Sequence, residues 1–382
     1  MSKTAKKWIF AVLRLVVCAV ALGWVLHNLT FYDYVTFADG GRQRGAVEVH
    51  VDHITIVGTD GTTTHVPLEQ VARDADGTLQ VEYGLRSTWQ RARKQLLFVC
   101  LLIFAPVPLI QSLRFQWMLR AQEIEVRYFE CVKLSVAGNF LNFITMLGTT
   151  GGDVFKAYFV SLHTKRKTEA VMTVLLDRIV GLYALAIVLA AILVVWMGDS
   201  KVYVLLYGIA VLVLGGVIAG VILFSQRVRA LVNPTRLLGK LPFASHLQRA
   251  EAATRRLAHH KPLVIGAMGC TIVLQFIGLT SYVLAAKAVG MRWDGQAIWD
   301  YYACIAGGIF VAAIPISPQG LGTMEALYKY ILLDTHGTLA ALLCLAMVVR
   351  VIQLFWALPG VLVTMTGSYR PRENMAVLED TR

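Results

Sequence analysis

The sequence is short of charge. Only 16% of its residues are Asp, Glu, Lys or Arg, where soluble domains carry roughly a quarter. With 57% hydrophobic residues, that shortage excludes an ordinary water-soluble globule. Cysteine is sparse and scattered: Cys18, Cys100, Cys131, Cys270, Cys304 and Cys344 lie far apart in apolar stretches. Neither a disulfide framework nor a metal site is read from them, and all six are taken as small core residues. Enzyme signatures are missing too: there is no His-Glu-x-x-His, no Walker loop and no Gly-x-Ser-x-Gly. The chain is therefore read as a non-enzyme, with no catalytic residue, metal or cofactor. His50 and His53 fall in a strand-like stretch at odd spacing, which predicts opposite faces and argues against a shared metal. No internal repeat is visible at the residue level.

What the sequence does have is long apolar runs: Trp8–Leu26, Leu96–Ile110, Ala170–Met197, Val202–Phe224, Pro262–Ala286 and Leu339–Met365. Several exceed the ~20 residues that cross a hydrocarbon core. Pro106 and Pro108 predict a kink in the second run, whose neighbouring polar residues complete the span. The first run is too long for a signal-peptide core and lacks a small-residue cleavage site, so it is read as a retained anchor.

The formal net charge is +12, and the cations gather between the apolar runs. That placement points to membrane orientation and anionic lipid head groups, not to nucleic acid. Lys3, Lys6 and Lys7 place the N-terminus inside, and a basic loop at 225–261, with Glu251 as its one acid, is cytoplasmic. The second span is expected to end at Arg114, Arg120 and Arg127. Arg91, Arg93 and Lys94 run against the charge bias.

Two glycine-broken segments interrupt apolar stretches, Leu147-Gly148-Thr149-Thr150-Gly151-Gly152-Asp153 and Pro315-Ile316-Ser317-Pro318-Gln319-Gly320-Leu321-Gly322-Thr323. Hydrocarbon does not tolerate unpaired backbone amides, so such breaks must face protein or a wet cavity. Paired breaks in two halves are a pointer to a transporter-like binding site. The predicted fold is an all-α polytopic membrane protein with about six full spans and two re-entrant hairpins entering from opposite sides. Its divisions are a first transmembrane helix (1–30), an extracytoplasmic β insert (31–90), a transmembrane domain (91–368) and a cytoplasmic tail (369–382). The setting is the cell (inner) membrane, with both termini cytoplasmic. In the insert, Val47, Val49 and Val51 share a predicted face, Ile54 and Ile56 alternate, and Asp60-Gly61 and Asp76-Gly77 are hairpin turns. An insert this small is expected to rest on the membrane part.

The candidate ligand-binding residues come from the breaks and from charges inside apolar spans. In the first hairpin, Thr150, Gly151, Gly152 and Asp153 have capping-box spacing, with the helix starting near Asp153 and Lys156 one turn on. A helix start plus a cation suits a phosphate or carboxylate; alternatively the glycines only permit the turn and Lys156 reaches the cytoplasm. In the second, Gly320, Gly322, Thr323 and Glu325 are marked, with Glu325 and Lys329 spaced to pair on one helix face. Asp177, Arg178 and Arg350 lie inside spans, where charge is costly. Neighbours on a helix point ~100° apart, so Asp177 is expected to meet a cation elsewhere while Arg178 faces the ligand path. A purely structural ion pair is the competing reading.

Asn139-Phe140-Leu141-Asn142, then Gly151-Gly152-Asp153 and Lys156, Leu176 to Leu182, and Pro315 through Glu325 resemble the transmembrane, flippase-like region of the lysylphosphatidylglycerol synthase family over roughly residues 95–368. The chain departs from the family pattern in lacking a soluble aminoacyl-transferase domain, in reading Leu-Gly-Thr-Thr-Gly-Gly-Asp where a Pro-Gly turn is common, and in carrying the β insert. The resemblance implies binding or translocation of a lipid with an anionic head group, a phospholipid or a polyprenyl-phosphate glycolipid, held by Lys156, Arg178, Arg350 and helix-start amides. The alternative is a non-transporting scaffold for envelope-lipid or glycan synthesis whose insert recruits a protein partner. A membrane-embedded transferase has no nucleophile or metal motif behind it.

Overall fold

The computed structural model describes residues 32–50, 52–58, 61–73, 79–145, 150–162, 164, 166–195, 260–313, 318–333 and 336–366, with 23 and 214–215 as isolated helical positions. The expected spans at 8–26 and 202–224, nearly all of the 225–261 loop, the Asp76-Gly77 turn and the 369–382 tail lie outside these residues.

The chain enters the described region as a sheet. Strands β1 (Asp33–Thr36), β2 (Arg42–Val49), β3 (His53–Val57), β4 (Thr63–Pro67) and β5 (Val81–Glu82) pair antiparallel in the order β4-β3-β2-β1-β5. Val47 opposes Ile56, and Ile54 opposes Val66. Val35, Val47, Ile54, Ile56, Val66 and Val71 form a small separate core. Val49, expected beside Val47, is 41% exposed, because β2 ends there and the chain turns back. That same turn, closed by the His50 N–H donating to the His53 carbonyl at 2.9 Å, stacks the two imidazoles at 4.7 Å. The expected opposite faces do not hold, because β2 ends at Val49 and His50 and His53 flank the turn into β3 and not one continuous strand; among the described residues no group of three or more His, Cys, Asp or Glu is placed to hold a metal. Of the expected Asp60-Gly61 turn, Asp60 lies outside the described residues; Gly61 has φ +81°, and the Gly58 N–H donates to the Thr62 carbonyl at 2.8 Å.

Helix α1 (Leu85–Arg91) carries the sheet. The fully buried Asp33 accepts from Val47 N–H (2.9 Å), Gly84 N–H (2.7 Å) and Ser87 Oγ (2.9 Å). Arg91 donates to the Val47 carbonyl at 2.6 Å and lies over the Tyr83 ring. At least one of the three cations that defied the charge bias is thus spent on seating the insert.

The helices follow. Helices α2 (Lys94–Phe104) and α3 (Pro106–Arg120) make one apolar stretch, broken at Ala105. Proline brings no N–H and its ring crowds the preceding turn, so the expected kink is where Pro106 and Pro108 put it. Next come α4 (Tyr128–Ile144), α5 (Gly151–Ser161), α6 (Lys167–Val195), α7 (Lys261–Ala288), α8 (Gly295–Ala312), α9 (Thr323–Leu332), α10 (Leu339–Ala357) and α11 (Pro359–Thr366). Among the described residues four stretches are long and apolar enough to cross a membrane: Lys94–Arg120, Lys167–Val194, Pro262–Ala288 and Leu339–Ala357. The last predicted span, Leu339–Met365, is divided at Pro359. There Gly360 lets α11 lie against α4: a Cβ on it would stand 2.5 Å from the Val136 carbonyl oxygen.

Leu189 of α6, Leu279 and Tyr282 of α7, Tyr301 and Ile305 of α8, Tyr328 of α9 and Leu345 of α10 belong to one continuous core. On the outside, Phe98, Val194, Ile265 and Leu362 are exposed, as suits helices facing lipid and not water. The molecule is a mostly helical membrane protein with a small antiparallel sheet ahead of its helices.

Candidate functional site

Each break joins two helices that pack side by side. In the first hairpin α4 and α5 approach so closely that a Cβ on Gly152 would run into the Gly138 carbonyl, and one on Gly138 would lie 2.8 Å from Lys156 Cε. Glycine is required here by approach, at two facing positions. In the second hairpin α8 and α9 are joined through a 3-10 turn, Pro318–Gly320. Gln319, Gly320 and Gly322 have φ of +49°, +66° and +84°, a left-handed run that glycine adopts without penalty.

The helix starts differ from expectation in what caps them. Helix α5 begins at Gly151, two residues before the predicted start, and Thr150 makes no side-chain cap hydrogen bond. The capping-box reading of Thr150 and Asp153 is therefore corrected. The Gly152 amide donates instead to Asn142 Oδ1 of α4 at 2.7 Å; the tight hairpin brings a polar residue from the neighbouring helix within reach. Asp153 turns away to pair with Arg178. In the second hairpin Glu325 accepts from the Gly322 N–H at 2.8 Å. The carboxylate also takes Arg350 Nη1 at 2.6 Å and Nη2 at 3.1 Å. Its expected Lys329 pairing gives way to this bidentate bond, since Arg offers a planar fork and α10 delivers it into the interior.

Asp177 and Arg178 diverge as the helical angle requires. Asp177 faces α3, where Arg114 holds it with two bonds of 2.8 Å, and Arg114 also reaches Thr271 of α7 at 3.3 Å. Arg114 is 5% exposed. It was expected at a span end; it lies inside one, because the kinked stretch continues to Arg120. Gly181 lies against the Arg114 guanidinium. Arg178 faces the other way, onto both hairpins: it pairs with Asp153 at the start of α5 and donates to the Ala313 carbonyl, past the end of α8, at 2.7 Å.

Lys156 is 4% exposed. Its ammonium stands 5.6 Å from the centre of the Phe115 ring. Asp153 and Asp177 are close enough to act on it electrostatically, yet each is already held by an arginine. Three cations, Arg114, Lys156 and Arg178, thus stand with two carboxylates.

A cavity of about 180 Å³ lies between the α2–α3 kink, α4, the second break and α10. Asn139 and Asn142 of α4 and Gln319 of the second break share its wall, so the helix that leads into the first break meets the second break there. Sequence reasoning marked the charges and glycines but missed the carboxamides Gln111, Asn139, Asn142, Gln319 and Gln353. Their signal was polar side chains at helical spacing within apolar stretches, as at Asn139 and Asn142.

The family profile for the lysylphosphatidylglycerol synthase TM region matches residues 84–360. No curated protein matches the chain closely enough to count as a relative. The chain belongs to the lysylphosphatidylglycerol synthase TM-region family.

Proposed function

We propose that this member of the lysylphosphatidylglycerol synthase TM-region family binds a lipid with an anionic head group where its two hairpins meet, and carries that head group across the bilayer. The observation that carries the reading is Lys156. A buried cation is expensive in a low-dielectric interior; Lys156 is 4% exposed, and Asp153 and Asp177, the carboxylates that act on it, are already held by Arg178 and Arg114, so an anion from a ligand supplies the missing negative charge. Phosphate is the anion that membrane lipids bring.

The neighbouring groups support the same reading. Arg178 ties α6 to both hairpins, so a ligand that competes for Arg178 would loosen one hairpin from the other. Arg350, with its Nε buried and without a hydrogen-bond partner, is a second cation with unused donor capacity. The lipid chains would stay in the bilayer while the head group crosses; no covalent reaction is invoked, and the protein acts as a carrier.

In this reading the whole chain has about six spans, both termini in the cytoplasm of a cell (inner) membrane, and hairpins that enter from opposite sides. Cysteine labelling on intact cells tests the arrangement. Labelling of 225–261 from inside and of 31–88 from outside is expected; an externally reactive 225–261 loop overturns it. Native mass spectrometry of the purified chain tests the binding. Co-purified anionic lipid is expected in the wild type and depleted in Lys156→Met, whereas equal lipid content in both removes Lys156 from the site.

A further inference from the structure

Helix α1 is engaged on two sides. Ser87 and Arg91 seat the β insert on one of them. On the other, Leu85, Arg86 and Trp89 form one wall of a groove, and Met347, Val348 and Val351 of α10 form the facing wall. The groove measures about 350 Å³, and Arg86 is the one charged residue that lines it. Trp89, Met347 and Val351 are exposed. The Trp89 wall is set in advance, because the Lys94 ammonium lies 3.8 Å from the centre of its ring.

In a bilayer such a groove fills with lipid tails or with protein. Tails are as apolar as side chains, so burial of apolar surface does not choose between them; close packing does. The connectivity of the chain names the protein segment that is nearest. Strands β1 and β5 are antiparallel, with Tyr34 opposite Glu82, so the chain enters the sheet beside the point where it leaves for α1. Asp33 takes the Gly84 N–H at 2.7 Å and the Ser87 hydroxyl at 2.9 Å, and Leu85, the next residue after Gly84, is already in the groove wall.

The run Trp8–Leu26, apolar but for Arg14, stops six residues before Asp33. Six residues of extended chain reach at most ~20 Å, so that run cannot leave the neighbourhood of α1. As a helix, its 19 residues would rise ~28 Å, close to the ~30 Å of a hydrocarbon core. A second copy of the chain would have to find the groove by diffusion, whereas a segment tethered this closely is held beside it.

We infer that the groove between α1 and α10 is the docking seat of the chain's own first apolar run, Trp8–Leu26. The contact ties the part of the chain that precedes the family match at 84–360 to the part within it. It also braces α10, the helix whose Arg350 holds Glu325 at the second break. No lipid head group enters the inference, which therefore stands or falls apart from the carrier reading.

The test uses the full chain in its membrane, with the photoreactive residue p-benzoylphenylalanine at Trp89 or at Met347. Ile265, exposed on α7, is the control position. After irradiation, gel mobility separates single chains from joined copies, and mass spectrometry of the peptides identifies what each probe has joined. Both groove positions are expected to join a peptide from residues 8–31 within a single chain, severalfold more than Ile265 does. Linkage to lipid alone, to a second copy or to another segment overturns the inference. Equal linkage from Ile265, or none from the groove in protein that melts like the wild type, overturns it too. If either probe lowers the melting temperature, Val351 takes its place and is read by the same outcomes.

Discussion

Arg178 donates through Nη2 to the carbonyl of Ala313 at 2.7 Å, and so fastens α6 to the end of the helix that leads into the second break. Its Nη1 holds Asp153 at the start of the helix that leaves the first. One side chain therefore joins both hairpins. Arg178→Met should remove both bonds and leave Asp153 and the Ala313 carbonyl without these donors. Each unmet partner costs about 1–3 kcal/mol when buried, reduced here because the Arg178 and Asp153 side chains are 20% and 28% exposed. A lower melting temperature in detergent, only slightly recovered by Arg178→Lys because Lys lacks the planar fork, is the expected result. An unchanged melting temperature in Arg178→Met would show that the bridge carries no load.

The Arg114–Asp177 pair is a separate unit on the other face of α6. Its side chains are 6% and 7% exposed, so the loss of one partner leaves the other charge buried. Asp177→Asn should destabilise by about 3–5 kcal/mol. The double variant Arg114→Met with Asp177→Leu should recover most of that loss, since apolar replacement of a buried pair is often neutral. A double-mutant cycle on thermal or denaturant unfolding reads this directly. Additive losses would mean the two residues do not act on each other.

The glycines separate two kinds of demand. Gly152→Val places atoms in the Gly138 carbonyl and must pry α5 from α4. Gly322→Val forces a branched residue to φ +84°, a conformation worth about 1–3 kcal/mol of strain. Both variants should lose lipid binding together with stability. Gly269→Ala, where nothing lies within 4 Å of an added Cβ, should be neutral or stabilise by up to about 1 kcal/mol. Full lipid retention in Gly152→Val and Gly322→Val would reduce the breaks to packing devices.

Asp33 is the peg of the β insert. Its three short bonds reach β2, Gly84 and Ser87 of α1. Asp33→Ala should strand at least two buried donors at about 1–3 kcal/mol each and free the sheet from α1. Limited proteolysis is the readout: cleavage within residues 32–90 should quicken while the helices stay protected. Equal protection of the insert would show that Arg91 and the apolar contacts hold it alone.

Much of this architecture was legible in the sequence for physical reasons that act locally. Apolar length marks spans, Pro106 and Pro108 mark a kink, and Gly320-Leu321-Gly322 marks a turn; each depends on a residue and its near neighbours. The alternation at Ile54 and Ile56 gave the sheet in the same way. What escaped were relations set by packing between distant segments. Arg114 read as a span end because charge bias is counted along the chain, whereas its place follows from Asp177, 63 positions on. Glu325 had a well-spaced Lys329 on its own helix, but α10 brings Arg350 closer. Thr150 has a cap's chemistry, yet Asn142 caps Gly152 across the hairpin. The cavity amides come from four elements, and no window of sequence contains them together.

The central claim is that this fold moves an anionic head group with Lys156 as its charge partner. The direct measurement is translocation in proteoliposomes holding a trace of fluorescent phosphatidylglycerol, with outer-leaflet label bleached by dithionite. The account predicts that wild-type protein exposes inner-leaflet phosphatidylglycerol faster than phosphatidylcholine. It also predicts that Lys156→Met, at matched folding and reconstitution, falls to the rate of protein-free vesicles. No acceleration by the wild type, or full acceleration by Lys156→Met, would contradict it.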